Sequence, residues 1–237
     1  MSYTKTEENY LKAIYGIESK FGESVSTNML ANKLETKASS VTDMVKKLAK
    51  KELITYEKYQ GVSLTECGKD IAINIIRNHR IWEVFLVEKL KYKWDEVHEI
   101  AEQLEHIKSE ELVDRLDDFL EHPSFDPHGD PIPDKKGNIP IRKEAIQLNE
   151  LAIGEEGIIV GVKNTNNEFL QYLEEMNLTL GKRVKVEKVF DFDKSKIIKT
   201  EKKSVTISKE VSSNLIIEKA NNGQLKNYQY ERNNTMV

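Results

Sequence analysis

Two short stretches gather the side chains that can hold a metal ion: "HEIAEQLEH", residues 98–106, and "HRIWE", residues 79–83. The first places two histidines and three glutamates within nine positions on a stretch otherwise patterned as a buried helix. Residues three or four apart share a helical face, so Glu102 neighbours His98, Glu105 and His106 in one continuous stripe. Val97, Ile100, Ala101 and Leu104 take most of the remaining inward side, which leaves Glu99 and Gln103 for solvent. On the preceding helix, His79 and Glu83 repeat the spacing of four. Carboxylates offer hard anionic oxygens and imidazoles offer borderline nitrogen donors, the set a divalent first-row metal takes, and the absence of thiolates argues against a zinc finger or a copper(I) site. A single His–Glu pair at this spacing is an ordinary surface pair worth roughly 0.2–0.5 kcal/mol. Two helices with matching pairs favour metal.

The rest of the chain supplies the elements that must position these side chains. Its 237 residues allow several small domains, each with a core. An apolar fraction of 38%, a charged fraction of 32% and a formal charge of −4 describe an ordinary, slightly acidic protein, so any DNA-binding surface must be locally basic. No apolar run is long enough to span a bilayer and "MSYTKTEENY" lacks the apolar core of a secretory signal, which predicts a cytoplasmic protein with no membrane partner. One cysteine, Cys67, excludes an intrachain disulfide framework and is expected to pack at the end of a β-wing. All five histidines lie between residues 79 and 128, and all five prolines between 123 and 140, where "HPSFDPHGDPIPDKKGNIP" forbids a long helix. His122 and His128 are expected to serve this loop rather than a metal. Beyond about residue 150, short β-branched runs separated by turn residues predict a small antiparallel barrel or sheet, interrupted by one helix at "NEFLQYLEEMNL".

The first third reads as helices followed by a hairpin. "TKTEENYLKAIYGIES" puts Tyr10, Leu11, Ile14, Tyr15 and Ile17 near one face; "STNMLANKLE" and "SSVTDMVKKLAKK" are two further helices, with Ser26 and Ser39 as expected caps. Strands at "LITYEK" and "VSLTE" then complete a helix-turn-helix with a wing. The second helix of the pair buries Val41, Met44, Val45 and Leu48 and exposes Ser39, Ser40, Thr42, Asp43, Lys46, Lys47 and Lys50, short polar and basic side chains suited to reading DNA. From Lys37 to Lys58 there are six lysines against three acids, a local excess of positive charge in an acidic chain.

Together "TEENYLKAIY", "SSVTDMVKKLAKKELITYEKYQGVSLTECG", "RNHRIWEVFLVE", "VHEIAEQLEH" and "HPSFDPHGDPIP" resemble the diphtheria-toxin-repressor and manganese-repressor family of metal-activated transcriptional repressors, in order and in spacing, over residues 1 to about 220. The resemblance implies a multidomain, mainly α fold with small β: a winged helix-turn-helix DNA-binding domain over 1–72, a helical dimerisation and metal-binding domain over 73–140, a linker over 141–150 and an SH3-like (FeoA-like) β-barrel over 151–220; the polar, aperiodic residues 221–237 are expected to be a disordered tail. It implies a primary metal site of Glu102, Glu105, His106 and Asn9, and an ancillary site of His79, Glu83 and His98, completed from the SH3-like domain by Glu168. DNA contacts fall on Lys37, Ser39, Ser40, Thr42, Asp43, Lys46 and Lys47.

Departures from the family pattern bear on the metal. Iron-responsive members carry a cysteine where this chain has Glu102 and a methionine where it has Asn9, whereas manganese-responsive ones carry acids at both. Glu102 therefore favours Mn²⁺ over Fe²⁺, with Zn²⁺, Co²⁺ or Ni²⁺ also expected to bind in vitro. Lys12 stands where some manganese-type members carry a second acid, which argues against a closely bridged dinuclear site. The expected function is a non-enzymatic, homodimeric repressor on double-stranded palindromic operator DNA, with metal as co-repressor in manganese or iron homeostasis. "ELVDRLDDFLEH" supplies a dimer stripe of Leu112, Val113, Leu116, Phe119 and Leu120. A metal-dependent hydrolase would need an acid–base or nucleophile motif, and neither HExxH nor a nucleophile elbow is present. A metal-storage protein would need no recognition helix.

Overall fold

The computed structural model describes residues 3–22, 24–57, 61–142 and 144–219. Lys58, the centre of the wing turn and the tail over 221–237 lie outside the described residues. Two compact units emerge: the first takes in the chain up to Lys89, Glu99–Ser124 and Ile132–Pro140, and the second takes in Leu90–His98, Phe125–Pro131 and the chain from Ile141 onward.

In the first unit, helix α1 (Lys5–Phe21) opens on a reciprocal cap: Thr4 Oγ1 accepts from the Glu7 N–H and the Thr4 N–H donates to the Glu7 carboxylate. α2 (Thr27–Lys33) is capped by Ser26, as expected, and α3 (Ala38–Lys50) follows after a short turn. α3 departs from expectation at its start: Lys37 occupies the cap without a side-chain hydrogen bond, and Ser39 lies within the first turn. Strands β1 (Ile54–Glu57) and β2 (Gly61–Leu64) pair antiparallel as the wing. Leu11, Ile14, Leu30, Val41, Val45, Leu48, Leu53 and Val62 are buried together, each contributing on the order of 1.5–3 kcal/mol by leaving water.

The long helix α4 (Glu66–Glu88) is fixed to the wing at Gly68, where a Cβ would lie 1.9 Å from the Leu53 carbonyl oxygen. Cys67 beside it is exposed, not packed against the wing as expected, because the first turn of α4 turns Gly68 inward and Cys67 outward. α4 then passes from the winged-helix core, where Ala72 is buried, into a second cluster of Ile81 and Val84 with Val113, Leu116 and Leu120 of α6 (Glu110–Phe119) and its cap. One unbroken helix thus serves both halves of this unit. Before α6 comes the short α5 (Val97–Leu104), within which the boundary between the units falls.

The second unit is a six-stranded antiparallel sheet in the order β3-β8-β4-β5-β6-β7, formed by β3 (Ala145–Gln147), β4 (Glu156–Val162), β5 (Arg183–Val189), β6 (Lys196–Lys199), β7 (Ser204–Ile207) and β8 (Leu215–Lys219). Its edge strands do not pair with each other, so the expected SH3-like unit is an open sheet. The expected helix is α7 (Asn167–Glu175), and a short α8 (Lys209–Asn214) precedes β8. The prolyl segment 125–131 joins this unit: the Val162 N–H donates to the His128 carbonyl at 3.0 Å, and Gly129 passes so close that a Cβ would lie 2.2 Å from the Val160 carbonyl oxygen. His128 serves that loop as expected, stacked on Trp94 with Nε2 2.8 Å from the Trp94 carbonyl.

Candidate metal centre

Within the first unit, three segments bring ionisable side chains to one place. α4 contributes His79 and Glu83, both buried, with His79 Nε2 3.0 Å from Glu83 Oε1. α5 stops at Leu104, and the turn beyond it, closed by the Glu105 N–H on the Ala101 carbonyl and the Ile107 N–H on the Leu104 carbonyl, carries Glu105 and His106. α1 contributes Glu8 and Lys12. Glu105 is the centre of this arrangement, with its side chain 1% exposed. Its Oε2 lies 2.6 Å from His79 Nδ1 and accepts from Lys12 Nζ at 2.6 Å, while its backbone carbonyl accepts from Asn78.

Charge separation stabilises this node. Burial by itself would raise the Glu105 pKa, but His79 and Lys12 outweigh it and hold the carboxyl below the ordinary range. For His79, burial by itself would lower the pKa, and the contacts to Glu105 and Glu83 reverse that and raise it. His106 is oriented from the other side: its Nδ1 is 2.6 Å from Glu8 Oε2. A carboxylate only accepts, so Nδ1 donates to Glu8 and Nε2 is turned towards Glu105 Oε1 at 3.6 Å. That gap is too long for a hydrogen bond and short enough for one ion to touch both atoms, since nitrogen and oxygen ligands lie about 2.0–2.2 Å from such ions. The donors present, carboxylate and imidazole without thiolate, fit a divalent first-row metal.

The expected site residues are distributed unevenly. Glu105 and His106 converge with Glu8. Glu102 lies on the rim, 55% exposed, with Lys12 Nζ 3.9 Å from its carboxylate. Asn9 is exposed; a residue turns about 100° round a helix per step, and it is Glu8 that α1 aims at His106. His98 is exposed at the start of α5, in the segment assigned to the second unit. Glu168 is exposed in the first turn of α7, where Asn166 is taken up as the N-cap of that helix. Sequence reasoning missed Glu8, although Glu8 and Lys12 stand four apart on one face of α1, the same spacing that singled out the histidines.

α3, the second helix of the helix-turn-helix, exposes Ser39, Ser40, Asp43 and Lys46, with Lys37 exposed at its cap, while Thr42 is half-buried and donates to the Ala38 carbonyl. Lys47, 52% exposed, is engaged by a buried acid of α1. Glu7, fully buried, lies 3.1 Å from Lys47 Nζ and 2.7 Å from Lys51 Nζ. Burial by itself would raise its pKa; Lys51, the Thr4 N–H and Lys47 pull it down to about 2. Consecutive residues of α1, Glu8 and Glu7, therefore face the Glu105–His106 cluster and α3 with its cap.

Three family models match in succession: the iron-dependent repressor N-terminal DNA-binding domain over residues 2–62, the iron-dependent repressor metal-binding and dimerisation domain over 65–134, and the FeoA domain over 146–219. The transcriptional regulator MntR of Oceanobacillus iheyensis is 37% identical over 120 residues, 50% of this chain and 80% of that protein. The chain belongs to this family of metal-dependent repressors. Among other family members, the iron-dependent repressor IdeR of Mycobacterium tuberculosis is 34% identical over 128 residues, 54% of this chain; the chain spans about half, 55%, of the length of that relative. A solved manganese-dependent transcriptional repressor in complex with manganese is 31% identical with a TM-score of 0.79, and the match covers 90% of this chain and 100% of that one. The repressor ScaR with bound Zn²⁺ is 32% identical with a TM-score of 0.71, over 90% of this chain and 99% of that one. No described helix is long and apolar enough to cross a membrane.

Proposed function

We propose that this chain is a metal-activated, homodimeric repressor that binds a double-stranded palindromic operator in the cytoplasm and controls manganese or iron homeostasis, with Mn²⁺ as its preferred co-repressor and no catalytic role. In this reading residues 1–72 read DNA, 73–140 bind metal and dimerise, and the SH3-like region follows the linker at 141–150. The contact of Glu8 with His106 carries the reading: α1, which packs under the recognition helix, reaches the turn that bears the metal-binding histidine. Glu105, His106 and rim Glu102 would hold the primary ion, Glu8 orienting His106 through Nδ1 and Asn9 standing beside it. His79 and Glu83 on α4 would supply the first unit's ligands to the ancillary site. When bound, the metal supplies a cation that favours one arrangement of α1 against the α4–α5 segment, a population shift bounded by its differential affinity for the two arrangements.

Glu102 and the oxygen-rich donor set support Mn²⁺ over Fe²⁺. Exposed Leu112 and Phe119 on α6 support a self-association face there, and two recognition helices related by a two-fold axis can read half-sites about 34 Å apart. The test is operator binding titrated anaerobically with Mn²⁺, Fe²⁺ and Zn²⁺ at fixed salt. Binding should require metal, and Glu105→Gln should abolish the response; apo and loaded protein binding the operator equally would refute the proposal. Glu8→Gln and Asn9→Asp assign the α1 position: Glu8→Gln should weaken the response, and a stronger Mn²⁺ response from Asn9→Asp would place that side chain in the site.

A further inference from the structure

The metal cluster already contains a cation of its own. Lys12 Nζ lies 2.6 Å from Glu105 Oε2, 3.4 Å from His79 Nδ1 and 3.9 Å from Glu102 Oε1, with its side chain 23% exposed. A carboxylate as buried as Glu105 is costly to leave uncompensated. The ammonium from α1 and the imidazole from α4 share one of its oxygens. The same carboxylate faces His106 Nε2 with its other oxygen. Any ion held between Glu105 and His106 must therefore share Glu105 with Lys12 or displace it, and the like charges repel across a few ångströms of partly dry interior.

Resting on the metal-site reading above, we propose that Lys12 is a built-in counter-ion: it holds Glu105 in the metal-free protein, is drawn off that carboxylate when metal binds, and so raises the metal concentration at which the repressor loads. The lysine makes this cluster a threshold device. It stabilises the empty site, keeps α1 tethered to the α5 turn without metal, and occupies the space that a second ion beside the first would need. Lys12 is a specificity-determining residue in this role, and its four-carbon stem gives it room to swing towards the exposed carboxylate of Glu102 when it leaves Glu105.

The test compares wild type with Lys12→Met, Lys12→Gln and Lys12→Arg in full-length protein, using Mn²⁺ alone as the probe. Metal-free Tm should fall in the Met and Gln variants and be largely kept in Arg, while the rise in Tm on saturating Mn²⁺ should be larger in Met and Gln than in wild type. Calorimetric Mn²⁺ affinity, isolated by subtraction of the Glu105→Gln background, should tighten by roughly tenfold or more in the two neutral variants. If wild type binds Mn²⁺ through Glu105 but the neutral variants bind no tighter, or lose the same Tm with and without metal, Lys12 is only a structural ion-pair partner and the proposal falls while the metal site stands. If Mn²⁺ binding is absent or indifferent to Glu105→Gln, the metal-site reading falls and this proposal with it.

Discussion

Glu7 shows how much a single buried charge can organise. Its carboxylate has no exposure and is compensated by Lys47, Lys51 and the Thr4 N–H. A drop from 4.5 to about 2 would correspond to about 3 kcal/mol at 1.36 kcal/mol per pKa unit; because Lys47 is 52% exposed, solvent screening reduces this to about 1–2 kcal/mol. A depressed carboxyl pKa stabilises the fold above the unfolded value and loses that contribution as pH falls through the folded one. Glu7→Gln should therefore cost about 1–2 kcal/mol in urea unfolding of metal-free protein at pH 7, and the gap to wild type should close as pH falls from about 4.5 towards 2. Lys47, expected from sequence to contact DNA, is bound up in this pair. Lys47→Ala should thus cost stability, whereas Lys46→Ala should leave stability within about 0.5 kcal/mol and lower the salt dependence of operator binding by about one unit of slope.

Among the elements, α4 bears the heaviest demands, since it backs the wing at one end and presents His79 and Glu83 near the other. Gly68 permits the first of these. With the Leu53 carbonyl where it is, Gly68→Ala has no room for its methyl group and should destabilise the first unit by about 3 kcal/mol or more, read as a lowered urea midpoint. The repacking needed would move the wing. α5 shows the opposite economy: its helix ends one residue before Glu105, so that a turn, not a helical face, delivers Glu105 and His106. The stripe read on an ideal helix put Glu102, Glu105 and His106 together, whereas the turn places Glu105 inside and leaves Glu102 on the rim.

For the molecule as a whole, the proposed function calls for two copies and a metal. Phe119, 60% exposed and lying 5.2 Å from the Lys89 ammonium, and Leu112 form the apolar part of α6 that its own unit leaves uncovered. Phe119→Glu should shift sedimentation from dimer to monomer and weaken operator binding while the Mn²⁺ affinity of Glu105 and His106 is kept; a variant that remains dimeric would move the interface elsewhere. Mn²⁺ at a hundredfold the Kd of the Glu105 site should stabilise the protein by about 2.7 kcal/mol through that site over the chelated form, and Glu105→Gln should remove this part of the gain.

The sequence by itself determined the order of domains, the helix-turn-helix with its wing, the SH3-like strands and the histidines and glutamates from α4 and the α5 stretch, because these rest on local periodicity, caps and turn residues that act within a few positions. His79 with Glu83 was legible for that reason. Tertiary structure decided what no local rule contains: that Glu8 rather than Asn9 meets His106, that Lys12 enters the cluster, and that Lys47 pairs with the buried Glu7. Each depends on the rotation of one helix against another. A single step of about 100° round a helix exchanges a buried ligand for a solvated side chain, and only packing between distant segments fixes that angle.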